Sequence, residues 1–237
     1  MVEQTESAVR AKMEMTMSST ERPRVSLHFA QSLDGRIAFA QTRTLLSSRA
    51  GVALAHRARA EHDAVLVGRA TVHVDNPRLA AVGYGTRQPR RIVLASTLNV
   101  PITARVLEGG PGTIVIGVES RAPDSARARL SEAGAIVRLV PGDEDGLVSL
   151  ADALSAIGRL GVRTLLVEGG ACVLSSFLRH RLAYDATVEI VPRLLGGQAV
   201  AALGDIGVDA NERAVKFEEA SVERAEESVV VRGRLVY

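Results

Sequence analysis

An α/β chain built on a largely parallel, mixed sheet is what this sequence predicts, and three observations predict it. Short β-branched or leucine runs ending in or at glycine recur at Ala64–Gly68, Thr113–Gly117 and Thr164–Gly169. Such runs suit central strands covered by helices on both faces. Stretches with helical apolar spacing fall between them, and strands alternating with helices imply parallel pairing. The last part of the chain differs: Ala186–Val191, Ala214–Arg224 and Ser228–Val236 read as strands with no long helix between them. The last two, joined around Glu226–Glu227, predict a C-terminal antiparallel hairpin.

Taken in order, Arg24–Ala30 alternates Val25, Leu27 and Phe29 on one face and reads as the first strand. Ser48–Glu61 carries Val52, Leu54, Ala55 and Ala58 at helical spacing, with Ser47 or Ser48 as N-cap. Ile92–Ala95 and Ile136–Val140 read as further strands, and Ala122–Ala133 and Leu150–Leu160 as helices. The first 22 residues are polar and contain all four methionines, Met1, Met13, Met15 and Met17. They are expected to be a disordered tail, with translation starting at any of these four, and residues 23–237 to form one domain.

Bulk composition narrows the function. The chain has 237 residues, net charge +2 and 29 basic residues, of which only Lys12 and Lys216 are lysines. The arginines are scattered, so no basic stripe marks a nucleic-acid binder, although arginine forks suit small phosphorylated ligands. The single cysteine, Cys172, excludes an intrachain disulfide and a multi-cysteine metal site and points to the cytoplasm. No apolar run is long enough to span a bilayer. His28, His56, His62, His73 and His180 show no ligand spacing, so no metal is expected.

The familiar nucleotide and hydrolase motifs are missing: Gly83-Tyr-Gly85 does not continue into a dinucleotide fingerprint, and no Walker loop, zinc-deaminase signature or nucleophile elbow occurs. Four other segments stand out. Gln31–Arg36 ends a strand on Asp34-Gly35, a tight turn when taken alone. Gly68–Leu79 follows a central strand and offers Thr71, Asp75 and Asn76 where open α/β sheets bind ligands; an Asx-type turn before Pro77 explains it equally well. Leu165–Cys172 is strand, Glu168, Gly169-Gly170, then helix, an arrangement that lets backbone N–H groups meet a phosphate and leaves Glu168 to accept from an amino-bearing substrate. Val191–Gly197 alone is a loop after a strand.

In combination these segments resemble the reductase domain of the bacterial bifunctional riboflavin-biosynthesis deaminase–reductase and its stand-alone archaeal and fungal counterparts. The resemblance covers the chain from about Arg22 onward. It rests on S-L-D-G-R at Ser32–Arg36, on Arg59, on D-A-x-L-V-G-x-x-T-x-x-x-D-N-P-x-L at Asp63–Leu79, on Pro89, on Glu168-Gly169-Gly170 and on P-x-L-L-G-G at Pro192–Gly197. It implies a dihydrofolate-reductase-like fold, NADPH as hydride donor, and reduction of the ribosylamino group of an aminopyrimidine ribosyl 5′-phosphate to a ribitylamino group. Residue by residue, it implies that Ala30, Thr71, Asp75, Ser96 and Gly170, Ala171, Cys172, Val173, Leu174, Ser175 and Ser176 bind the cofactor. Arg59, Leu79 and Glu168 would face the substrate; Glu168 and Asp75 are the candidate proton donors, with a bound water as the alternative. Read without the resemblance, Arg59 is a surface helix arginine. The family also implies a homodimer.

This chain departs from the family pattern mostly on the substrate side. His28 stands where lysine is frequent, and Leu45-Leu46-Ser47 replaces a Trp-Ile-Thr/Ser stretch. Val82 occupies the region of an expected arginine, and Asp185-Ala186 replaces an Asp-Glu pair. The diamino and the deaminated pyrimidine therefore both stay open as substrates. So do a reductase of another heterocycle (a pterin or dihydrofolate) and a non-catalytic nucleotide-binding protein. One cysteine cannot build a deaminase zinc site, so deamination would need another polypeptide.

Overall fold

A computed structural model describes residues 22–40, 42–109 and 112–237. The expected disordered tail and the four candidate start methionines lie outside the described residues, apart from Arg22 at the tail's end. In chain order the elements are β1 (Arg24–Ser32), β2 (Arg36–Phe39), α1 (Arg49–Glu61), β3 (Ala64–Gly68), α2 (Arg69–Asp75), β4 (Arg90–Leu94), β5 (Thr113–Val118), α3 (Asp124–Glu132), β6 (Ile136–Val140), α4 (Leu150–Arg159), β7 (Thr164–Gly169), α5 (Ala171–Arg179), β8 (Asp185–Val191), β9 (Ala199–Ala201), β10 (Lys216–Ala225) and β11 (Ser228–Val236).

Nine strands form one sheet in the order β10-β11-β8-β1-β7-β3-β4-β5-β6. The seven strands from β8 to β6 run parallel. The predicted C-terminal hairpin β10–β11 adds antiparallel to β8. Side-chain alternation sorts the sheet residues into two apolar layers. Val25, Leu27, Leu66, Ile114 and Leu165 pack with Leu154 and Ile157 of α4 and Phe177 of α5. Val65, Val67, Val93, Val115 and Leu166 pack with Val72 of α2 and Leu130 of α3. Strands β3 and β5 are buried at every position, as their uninterrupted apolar runs predict.

Three elements differ from the sequence expectation. Residues 69–75, expected as a loop or turn, form helix α2, which ends where Asn76 turns left-handed at φ 43° and its carbonyl Oδ1 accepts from Arg105 N at 2.8 Å. Two short strands, β2 and β9, pair into a separate ribbon. Helix α1 buries only Gly51 fully. Its Ser48 cap accepts from Gly51 N at 3.0 Å, and the Ser48 backbone N–H and hydroxyl both donate to the buried Glu189 of β8, at 3.1 and 2.8 Å. A Cβ on Gly51 would lie 1.9 Å from Glu189 Oε2, so only glycine lets α1 sit this close to the sheet. β10 is exposed along nearly its whole length.

Candidate active site

Carboxyl ends of parallel strands leave a crevice wherever neighbouring crossovers diverge. In this chain that crevice is a cavity of about 750 Å³. Its floor comes from strands that are consecutive in the sheet: Ala30 of β1, Glu168 and Gly170 at the end of β7, Gly68 of β3, and Leu94 to Thr97 at the end of β4. The first turn of α5 and residues Thr71, Val74 and Asp75 of α2 form its walls. The β2–β9 ribbon covers it with Ile37, Phe39 and Val200.

Glycine is required where α2 and α5 converge. Gly170, at φ 58°, starts α5, and a Cβ there would meet Thr71 Oγ1 at 3.1 Å. A Cβ on Gly68 would meet Val173 at 2.8 Å. Thr71 Oγ1 in turn donates to Gly169 O at 3.3 Å, tying α2 to the β7–α5 turn. The first backbone N–H groups of α5 therefore open onto the cavity, a ready site for a negatively charged group.

Charges on the cavity wall and just behind it differ in kind. Both oxygens of Glu168 accept from Arg59, from Nε at 2.6 Å and from Nη2 at 2.7 Å, and Arg59 Nη1 also donates to Ala80 O at 3.2 Å. Burial opposes the Arg59 charge, yet Glu168 more than offsets it and the guanidinium pKa ends above its usual value. Asp75 is half-buried without a hydrogen-bonded partner among the described residues. Burial pushes its carboxyl pKa up, and Arg43 only partly counters this. His28 on β1 is buried; burial holds its pKa below the ordinary value, although Glu168 pulls the other way.

The cavity wall contains Ala30, Thr71, Asp75, Ser96, Glu168, Gly170, Ala171, Cys172, Val173, Leu174 and Ser176 of the residues named from the resemblance. Three others lie elsewhere. Ser175 faces inward, donating to Ala171 O at 2.7 Å and accepting from Gly204 N at 2.8 Å, because helical spacing turns it from the cavity. Leu79 is buried in the α2-side core at φ 53°. Arg59 stands behind Glu168, its fork occupied, and is mostly covered rather than a surface residue. Asp34 does more than make a turn. It accepts from the Ser32 hydroxyl at 2.5 Å, Leu195 N at 3.0 Å and Gly196 N at 2.7 Å, and these bonds hold its carboxyl pKa at about 2. The Asp34 turn and the Val191–Gly197 loop are thus one clasp at the base of the β2–β9 ribbon. Sequence reasoning missed the ribbon itself and the arginines Arg69 and Arg121 on the wall. The ribbon strands are too short to show a period, and scattered arginines give no pattern.

The RibD C-terminal domain family matches residues 23–231. The chain belongs to this family. It is 34% identical over 188 residues to the 2,5-diamino-6-ribosylamino-4(3H)-pyrimidinone 5′-phosphate reductase of Aquifex aeolicus, covering 77% of this chain and 83% of that protein. The corresponding Archaeoglobus fulgidus reductase is 33% identical, with 75% and 84% covered. Against the riboflavin biosynthesis protein RibD of A. aeolicus the identity is 34%, and the match spans 91% of this chain but 59% of that protein. Among solved structures, Acinetobacter baumannii RibD superposes with a TM-score of 0.80 at 25% identity over 92% of this chain and 60% of that one. The Saccharomyces cerevisiae riboflavin biosynthesis reductase Rib7 superposes at 0.74 with 23% identity, over 92% and 91%. The shared architecture is the dihydrofolate-reductase-like α/β fold that the motifs implied.

Proposed function

We propose that this RibD-family protein is an NADPH-dependent reductase of riboflavin biosynthesis that converts the ribosylamino group of an aminopyrimidine ribosyl 5′-phosphate to ribitylamino. The observation that carries the reading is the cavity. It has the size of a ligand site, runs over consecutive strand ends, and meets a glycine turn, a helix amino end and a carboxylate along its floor. Those features fit a dinucleotide: Gly68 and Gly170 let α2 and α5 pack closely at the strand ends, and the open N–H groups of α5 that this packing brings to the cavity suit a pyrophosphate.

When bound, NADPH supplies the hydride that reaches the ribose C1′. The chain supplies orientation and proton control. Glu168, held rigid by Arg59, accepts a hydrogen bond from the exocyclic nitrogen of the pyrimidine. Asp75 fits proton delivery better than Glu168, because its half-buried carboxyl favours the protonated form more than an ordinary aspartate does. The β2–β9 ribbon excludes water above the reacting carbon.

The relatives that match over most of their own length are named for the diamino pyrimidine, which supports that form as the substrate. The single cysteine supports a cytoplasmic location. The exposed edge strand β10, with Phe217 and Val222 uncovered, supports a homodimer. The deciding experiment follows NADPH absorbance with the diamino and the deaminated ribosyl phosphates in turn, with dihydrofolate as control. Oxidation with the diamino compound is expected. Oxidation with dihydrofolate alone, or with none of the three, would overturn the reading.

A further inference from the structure

The order β1-β7-β3-β4-β5 gives the cavity a direction. Adjacent strands lie about 4.8 Å apart, so five strand ends span roughly 19 Å, enough to lay out an extended dinucleotide. The helix amino end that suits a pyrophosphate follows β7. Glu168 and Ala30, on the β7 and β1 side, mark the nicotinamide end. The adenosine half then lies over β3, β4 and β5.

That end carries two guanidiniums and two hydroxyls. Arg69 follows β3, Ser96 and Thr97 follow β4, and Arg121 lies past the end of β5; all four line the cavity. Because β4 lies between β3 and β5, the hydroxyls sit between the two arginines. Arg121 Nη1 donates to Gly146 O at 2.6 Å, which orients the guanidinium and leaves its Nε and Nη2 free. The Gly146 φ of 69° lets that carbonyl turn toward Arg121. Among the described residues neither arginine pairs with a carboxylate, and neither hydroxyl is engaged. The carboxylates on the cavity wall are Asp75, at the far end of the helix that Arg69 starts, and Glu168 of β7, so no carboxylate on that wall follows β4 or β5, where the hydroxyls and Arg121 lie. A cofactor with a free adenosine 2′-hydroxyl is commonly held by an acid at a strand end, whereas a 2′-phosphate calls for arginine.

We infer that Arg121, together with Arg69, is the specificity determinant that takes the 2′-phosphate and makes the site select NADPH over NADH. The inference rests on the dinucleotide reading above. A phosphomonoester offers three oxygens to two planar forks and two hydroxyl donors, and each charge-assisted bond is lost if the phosphate is absent.

Calorimetric titration of the substrate-free protein tests this with NADPH, NADH, 2′,5′-ADP and 5′-AMP, on the wild type and on Arg121→Gln and Arg69→Gln. Both arginines are exposed, and neither replacement removes a core contact. The wild type is expected to prefer NADPH and 2′,5′-ADP over their unphosphorylated counterparts. Each variant should weaken those two by about ten- to a hundredfold while leaving NADH and 5′-AMP unchanged. Equal loss for both kinds of nucleotide, or unchanged NADPH affinity in both variants, would overturn the assignment. A wild type that binds NADH as tightly as NADPH would overturn it too while leaving the dinucleotide reading intact. Binding of none of the four would overturn both.

Discussion

Replacing Glu168 by glutamine tests the centre of the site. In the native protein the two Arg59–Glu168 bonds, at 2.6 and 2.7 Å, join side chains that are only 17% and 11% exposed. Glutamine keeps the shape but offers a single oxygen, and its amide NH₂ then faces an arginine N–H. One guanidinium donor loses its acceptor, and the covered charge loses its counter-charge. Charge-assisted bonds of this kind contribute about 1.5–3 kcal/mol each, and a stranded buried donor costs about 1–3 kcal/mol, so a net loss near 3 kcal/mol is expected. In a chain of this size that lowers Tm by roughly 6–12 °C. An Arg59→Met and Glu168→Gln double-mutant cycle should return a coupling of at least about 1.5 kcal/mol. The same change removes the ionised acceptor proposed for the pyrimidine, so KM should rise about tenfold or more with kcat changed far less. A normal KM with a depressed kcat would refute the positioning role. An unchanged Tm would refute the energetic account of the pair.

Three further outcomes follow from the same geometry. Cys172 is the only cysteine and is exposed on the cavity wall, so a thiol-specific alkylating reagent should modify it, and saturating NADPH should slow that modification several-fold; equal rates with and without NADPH would place the cofactor elsewhere. Asp75→Asn removes a carboxylate whose ionised form burial disfavours, so at neutral pH the variant should melt slightly higher than wild type while its kcat falls; a lower Tm or unimpaired turnover would contradict the assignment. His28 has a folded pKa below the unfolded value of 6.5, so the unfolded chain binds the proton more readily and stability falls as pH drops through and below 6.5. His28→Gln should flatten that part of the stability–pH curve measured by urea denaturation, and an unaltered slope would count against it.

Much of the fold was legible because burial on both faces writes itself into a strand as an uninterrupted apolar run. Ala64–Gly68, Thr113–Val118 and Thr164–Gly169 are central strands for that reason, and Ser48 caps α1 because a serine hydroxyl reaches the third N–H beyond it. The antiparallel character of β10–β11 was also local information, carried by a turn too short for a crossover. The motifs that named the family, Asp63–Leu79 and Glu168-Gly169-Gly170, likewise contain Thr71, Asp75, Glu168 and Gly170, all on the cavity wall.

What the chain could not announce in one dimension depends on distant segments meeting. Arg59 and Glu168 are 109 positions apart, and nothing near either says that their charges will be spent on each other. Asp34 looked like a turn residue because two of the groups that donate to its carboxylate, Leu195 N and Gly196 N, lie far along the chain. Gly51 is obligatory only because Glu189 on β8 comes up beneath it. Helix α2 was hidden because a helix of only seven residues costs about as much to nucleate as it returns, so packing of Val72 on the sheet decides it rather than propensity. Residue type and period therefore determined which segments became strands and helices and which family they compose. Only the tertiary structure, by bringing charges together where water is excluded, decided which polar groups neutralise one another and which remain open to a ligand.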